Sequence, residues 1–347
     1  KSAITSRAQR RAPTRLAFFT ALAAGIAVVV WSQFGVGYGS AEHPALPLGG
    51  RAEAWAAITV AIIIQSLPFL VLGVLVSALI TALAPGEFLR RVTPGNPFLD
   101  VPVSSVAAIA LPGCECASVP VTRSLMRQGL SPAASLAFMM ASPSLNPVVI
   151  VSTAVAFYSL PAMAWARFIA SLAAVVIAGW LWLIWGNNSL IRGAATDERH
   201  GGCCSLSSPT ASKWTVFQQE ALHDLTQAGG FLVIGAMVAG LVKVLIPATW
   251  FIQLSSQPVL VIAIMALFAI VLSLCSEADA FVAASFTAVS PTAQLVFLVV
   301  GPVVDIKLIS MQVGAFGRAF TLRFLPLVFA SAFGSAVVVG LLFFGTF

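Results

Sequence analysis

The chain has 347 residues, of which 59% are hydrophobic and 9% charged, where soluble domains carry roughly 25% charged residues. This composition excludes a water-soluble enzyme or binding module and predicts an all-α integral membrane protein, because the alternation expected of an outer-membrane barrel is absent. The net charge of +6 does not point to nucleic acid, since the basic residues are dispersed among loops and not interleaved with aromatics.

From the amino terminus, Arg7, Arg10, Arg11 and Arg15 precede an apolar stretch from Leu16 to Trp31. That pattern predicts an uncleaved first anchor with a cytoplasmic amino terminus, in preference to a signal peptide cut near Ala41. Residues 1–53 thus form a basic arm, an anchor and an external loop. The uncharged run Ala54–Gly86 is long enough to span. Val101 to Cys114 is too short to do so and is broken by Pro112-Gly113, so the segment as far as Arg127 is expected to dip into the membrane and return. Further uncharged runs cover Gln128–Ala166 and Phe168–Ile191, and a polar linker follows over residues 187–217. Beyond it, Leu222–Ile246 is another span, Gln257–Val289 a second re-entrant segment, and Ala280–Val304 and Phe324–Phe347 close the chain.

These elements repeat. Gln65–Leu79 (QSLPFLVLGVLVSAL) and Gln227–Leu241 (QAGGFLVIGAMVAGL) share seven of fifteen positions. Ser131–Ile150 (SPAASLAFMMASPSLNPVVI) and Ser290–Ile309 (SPTAQLVFLVVGPVVDIKLI) share seven of twenty, and Cys114 falls opposite Cys275. Residues 54–186 and 218–347 are therefore two copies of one unit, an arrangement found in many secondary transporters, with the substrate site where the copies meet. If both short segments are re-entrant, Arg90, Arg91, Arg123, Arg127, Arg192, Arg199, Lys213, Arg318 and Arg323 join the amino-terminal arm on the cytoplasmic side, and Arg51 alone lies outside. The positive-inside rule favours that topology, in which the copies are inverted. The expected architecture is two inverted repeats with broken helices, about seven spans plus two re-entrant hairpins.

Four acids fall inside embedded segments: Glu115 in LPGCECASVP, Glu277 and Asp279 in LCSEADAF, and Asp305 in GPVVDIK opposite Asn146. A charge at that depth costs at least about 2.5 kcal/mol unless paired or wet, which makes each a candidate functional group. Asp305 has Lys307 two residues away, whereas Glu115 and Glu277 have no cation close in sequence. Pro112, Gly113, Pro120, Pro143, Pro147 and Pro302 interrupt the same segments, and such backbone survives in a membrane only where protein or a cavity surrounds it. Cys114, Cys116 and Cys275 add thiols, which favour soft ions and metalloids. In the linker, His200, Cys203 and Cys204 form a further set of candidate soft-ion ligands, too few for a structural zinc site.

At Pro112–Pro120, Ser131-Pro132 and Pro143–Pro147 the chain resembles the predicted permeases that include YraQ-like proteins and the organoarsenical efflux permeases (ArsP), over about Ala54 to Phe347. The resemblance implies a multi-span inner-membrane permease with a thiol-rich broken hairpin around Cys114 and Cys116, and a membrane-anchored partner subunit of the kind found beside some relatives.

The residues expected to bind substrate are Cys114, Glu115, Cys116, Asn146, Cys275, Glu277, Asp279 and Asp305, with Glu115, Glu277 and Asp279 carrying protons. Cys114, Cys116, Cys275, His200, Cys203 and Cys204 are the expected soft-ion ligands. The sequence contains no G-x-x-x-x-G-K-[ST] phosphate loop, and no cofactor is expected. Proton coupling is the simplest energy source, because carboxylates in a low-dielectric site exchange protons as their surroundings change. The expected function is secondary transport of a soft metal ion, metalloid, organoarsenical or thiol-bound species across the lipid bilayer. The alternatives are a membrane thiol-disulfide oxidoreductase and a non-catalytic subunit of a two-component permease.

Overall fold

A computed structural model describes residues 50–83, 95–110, 115–187, 189–191, 213–245, 258–286 and 289–345. The expected first anchor, most of the linker with His200, Cys203 and Cys204, and the Pro112-Gly113-Cys114 stretch lie outside the described residues. Among the described residues every regular element is helical.

The first half comprises α1 (Gly50–Leu83), α2 (Pro97–Ala107) running into a short 3₁₀ turn (Ala108–Ala110), α3 (Glu115–Arg127), α4 (Pro132–Ser144), α5 (Pro147–Ala156) and α6 (Ala162–Trp185). The second comprises α7 (Lys213–Leu245), α8 (Pro258–Leu272), α9 (Asp279–Ser285), α10 (Pro291–Val300), α11 (Ile306–Phe316) and α12 (Arg318–Phe344). The order is the same in both: one long helix, two short pairs, and a closing long helix. The capping chemistry repeats as well. Ser131 and Ser290 each accept from an amide three residues on, at 3.4 Å, at the starts of α4 and α10. Asn146 caps α5 through the Val148 amide at 3.0 Å, and Asp305 caps α11 through the Leu308 amide. Proline at the first position of α4, α5 and α10 supplies a pre-set φ where no intrahelical donor is needed.

Among the described residues five helical stretches are long and apolar enough to cross a membrane: Ala52–Leu79, Pro132–Ala156, Ala162–Trp185, Phe217–Leu245 and Arg318–Phe344. The second of these joins α4 and α5 across a break at Leu145-Asn146. The uncharged run Gln128–Ala166 does not continue as helix, because Phe157 caps α5 and Pro161 opens the turn into α6, which then carries Arg167. Pro120 also departs from expectation. It lies inside α3 and does not interrupt it.

The innermost helices are the short ones. Residues 133–144 of α4 and 292–300 of α10 are buried on every side. Almost all of α3 is buried too, although it carries Ser118, Thr122 and Ser124. A helix this polar could not face lipid; it persists because protein surrounds it and its hydroxyls are satisfied, Ser118 and Thr122 by carbonyls of their own helix and Ser124 by the Ser77 carbonyl at 3.0 Å. The long helices pack in pairs around this centre, α1 on α7 and α6 on α12. Gly240 of α7 admits Trp55 and Thr59 of α1 so closely that a Cβ there would lie 2.6 Å from the Thr59 hydroxyl. On the other flank Trp182 of α6 meets Phe320 and Phe324 of α12 edge-on, with centroids 5.1 and 5.4 Å apart.

Candidate functional site

The second broken pair shows what the interruption provides. After Leu272 the backbone leaves the helix, Ser273 takes a φ of 44°, and regular structure resumes only at Asp279. The left-handed conformation is costly for a residue with a side chain and is held here by the surroundings. Ser273 Oγ donates to the Ile270 carbonyl at 3.0 Å and accepts the Ile306 amide at 3.2 Å, tying the unwound stretch to the start of α11. In the first half the residues between the 3₁₀ turn and Glu115 lie outside the described residues.

Across the halves, α3 packs against α11 and α9 packs against α5. The first contact carries a buried ion pair, and a second buried pair joins α9 to α6 beside the other contact. Lys307, in the first turn of α11, places Nζ 2.9 Å from Glu115 Oε1 and 3.5 Å from Asp305 Oδ2. The partner of Lys307 nearest in space is thus Glu115, 192 residues away, although Asp305 is its neighbour in sequence. Arg167, from α6, donates through Nη2 to Asp279 Oδ2 at 2.8 Å and to the Ser276 carbonyl at 3.3 Å, and through Nη1 to Thr153 Oγ1 at 2.7 Å. Arg167 is fully buried and Glu115, Asp279, Asp305 and Lys307 are almost so. At 2.8 to 2.9 Å these are charge-assisted hydrogen bonds, the geometry in which a buried pair offsets most of its desolvation.

The pairing is incomplete. Glu115 Oε2, Asp279 Oδ1, Asp305 Oδ2 and Arg167 Nε have no hydrogen-bond partner, nor does Ser276 Oγ. Three fully buried carboxylates face two fully buried cations; half-buried Glu277 and Lys243 add one charge of each sign, and Lys243 lies within electrostatic range of Asp305 and Lys307. With every group ionised, the cluster holds one more negative than positive charge.

Cys116 and Cys275 are both free and buried. Cys275 lies within electrostatic range of Glu115, Glu277 and Lys307, and Cys116 within range of Lys307, so the two thiols border the same charged centre. Among the described residues no three His, Cys, Asp or Glu side chains are placed to hold one metal ion. Asn146 is buried and occupied in capping α5, at the position Asp305 takes in the other half. Cys114, His200, Cys203 and Cys204 fall outside the described residues.

Sequence reasoning identified the acids and the nearness of Lys307 to Asp305, which lie 3.5 Å apart, but missed the partners of Glu115 and Asp279. Arg167 had a visible signal: it is the one charge separating two long uncharged runs, a lone embedded cation that demands an acid. Thr153 and Ser273 carried none. Two further buried acids, Asp100 and Asp224, also escaped notice. Asp224 Oδ2 lies 2.9 Å from Ser77 Oγ on α1.

Comparison with known proteins agrees with this architecture. The ArsP family of predicted permeases matches residues 52–341, which include every element from α1 to the last turns of α12. The UPF0718 protein YcgR of Bacillus subtilis is 30% identical over 284 residues, covering 81% of this chain and 95% of that protein. A putative two-component membrane permease complex subunit of Streptococcus mutans is 28% identical over 275 residues, covering 77% and 89%. The UPF0718 protein YraQ of Escherichia coli is 32% identical over 144 residues, covering 39% and 41%. No solved structure matches the chain. Apolar helices of spanning length, a duplicated order of elements and a match that runs through both halves make this chain a multi-pass membrane protein of the predicted-permease family.

Proposed function

We propose that the chain is a proton-coupled secondary permease whose transport site is the buried charged centre between α3, α6, α9 and α11, and whose two halves are inverted repeats that alternate access to it. The observation that carries this reading is that both buried ion pairs join one half to the other and leave carboxylate oxygens unsatisfied. A rigid-body movement of one half against the other stretches or exchanges these pairs, so the charge state of the centre and its exposure change together. The surplus negative charge supports a mobile proton on Glu115, Asp279 or Glu277 as the coupling ion. Cargo and proton then compete for the same carboxylates.

The bordering thiols favour a cargo with a soft centre. Two sulfurs suit a trivalent organoarsenical, which takes two thiolates and keeps its carbon substituent, better than a bare divalent metal, which needs three or four ligands. Cys116 and Cys275 are the two described candidates, and Cys114 is the third by sequence. The test is flux in proteoliposomes, with methylarsenite as probe. Glu115→Gln and Glu277→Gln should each abolish transport while the protein still purifies as a folded, monodisperse species. Unchanged flux in both variants removes the carboxylates from the mechanism.

The relative described as a subunit of a two-component permease supports a second reading, in which this chain works only beside a membrane-anchored partner. Methylarsenite binding by the purified chain alone, read as a rise in melting temperature, distinguishes the two, because a ligand that binds only the folded form stabilises it by linkage.

A further inference from the structure

A narrow cleft, with room for about one water molecule, lies between α3, α7 and α11. Val119, Pro120 and Arg123 line it from α3, Asp224, Gln227 and Phe231 from α7, and Met311 and Ala315 from α11. In a membrane protein this lining is unusual. It brings a guanidinium, a carboxylate and an amide to one place between helices, where polar side chains face water or one another and never lipid. The polar groups are fixed. Arg123 donates through Nη1 to Gln227 Oε1, Gln227 Nε2 donates to the Gly314 carbonyl at 3.3 Å, and Asp224 is held by Ser77.

The position of the cleft gives it a purpose. Glu115 and Lys307 meet in the first turns of α3 and α11, and Arg123 and Gly314 share the cleft near their other ends, so the two helices run parallel along one seam. Glu115, Val119 and Arg123 recur at four-residue spacing on α3, as do Lys307, Met311 and Ala315 on α11, which places each set on one helix face. The cleft therefore begins one helical turn, about 6 Å, beyond the buried ion pair. Val119 and Met311, both buried, occupy the intervening turn of the two helices and line the inner end of the cleft.

We propose that this cleft is the polar mouth of the transport pathway in its closed form, shut off from the Glu115–Lys307 pair by a plug of Val119 and Met311, and that hydrophilic cargo and protons reach the centre through it when it widens. This rests on the transport reading above. The distribution of basic residues gives this mouth, which holds Arg123, the cytoplasmic side.

The test is the reactivity of single introduced cysteines toward a membrane-impermeant methanethiosulfonate ammonium reagent. The background carries Cys203→Ser and Cys204→Ser, and a sample with no added cysteine corrects for the native thiols. Ala315→Cys and Ala228→Cys should react from one face of sealed vesicles only, at least about tenfold faster than Val233→Cys on the outward face of α7, because a thiol in lipid does not ionise. Met311→Cys should react more slowly than Ala315→Cys, and Val119→Ala should speed it. Unreactive cysteines at both 315 and 228, or equal rates from both faces, would overturn the proposal. Labelling needs no transport: a reactive cleft with flux unaffected by Glu115→Gln would reject the carboxylate mechanism and keep the mouth.

Discussion

Lys307→Met separates a structural from a functional ion pair. Lys307 Nζ lies 2.9 Å from one carboxylate and 3.5 Å from another. At an effective dielectric constant of 20 these separations correspond to attractions of about 6 and about 5 kcal/mol, offset in part by the desolvation of all three groups. Removing the cation leaves Glu115 and Asp305 buried together without their hydrogen-bonded counter-charge, half-buried Lys243 being the cation that remains near Asp305, and breaking a buried pair from one side costs about 3–5 kcal/mol. Lys307→Met should therefore melt well below the unaltered protein in detergent. The double variant Glu115→Gln/Lys307→Met removes the charge of Lys307 and of its nearer partner and should recover part of that stability, with Asp305 still buried without Lys307. Flux should not recover with it, because the centre then has no carboxylate at 115 to exchange. Matched melting curves and proteoliposome flux on the three proteins are the assay. A double variant that transports would make the pair a structural brace, and a Lys307→Met protein as stable as the parent would refute the geometry itself.

Other substitutions probe the same centre and its frame. Arg167→Gln strands Asp279 in the interior and should cost about 3–5 kcal/mol, seen as poor recovery of folded protein, whereas Thr153→Val removes only one neutral acceptor, about 1 kcal/mol. Asp305→Asn keeps the cap that Asn146 supplies in the other half and should melt close to the parent while losing transport; Asp305→Ala also loses the cap, worth about 1 kcal/mol, and should melt lower than the Asn variant. Gly73→Val should destabilise by about 1–3 kcal/mol or more, since a Cβ at 73 would sit 2.5 Å from the Ala117 Cα and force α1 off α3. Thermal melting in detergent checks each of these, with flux measured for the Asp305 pair.

The features that are local in the chain were legible in it. Ser131-Pro132, Ser290-Pro291, Asn146-Pro147 and Asp305 are helix starts because a capping side chain and the residue after it suffice to define one, and the repeat could be seen because those starts recur in order. Embedded acids could be seen too, since burial of a charge needs a reason wherever it occurs. Their partners in the other half could not. The Arg167–Asp279 and Glu115–Lys307 pairs bridge 112 and 192 residues, and nothing in the local pattern of either residue specifies the other. Pro120 misled for a related reason: proline weakens an isolated helix, yet α3 is enclosed on nearly all sides, and packing outweighs one lost hydrogen bond. Asp224 escaped because its helix starts in a polar stretch, KWTVFQQEALHD, where an acid attracts no attention until Ser77 and the neighbouring cleft are seen around it.

The sharing of charges between the halves has a consequence for biogenesis. Until α9 and α11 are made, the nascent first half presents Glu115 and Arg167 to the bilayer without the groups that neutralise them, so α3 and α6 should stay provisional, held near the insertion machinery, and settle only when the later helices arrive. Two fragments cut in the linker and synthesised separately should each be short-lived alone and rescue one another when made together, since each carries the counter-ions that the other lacks.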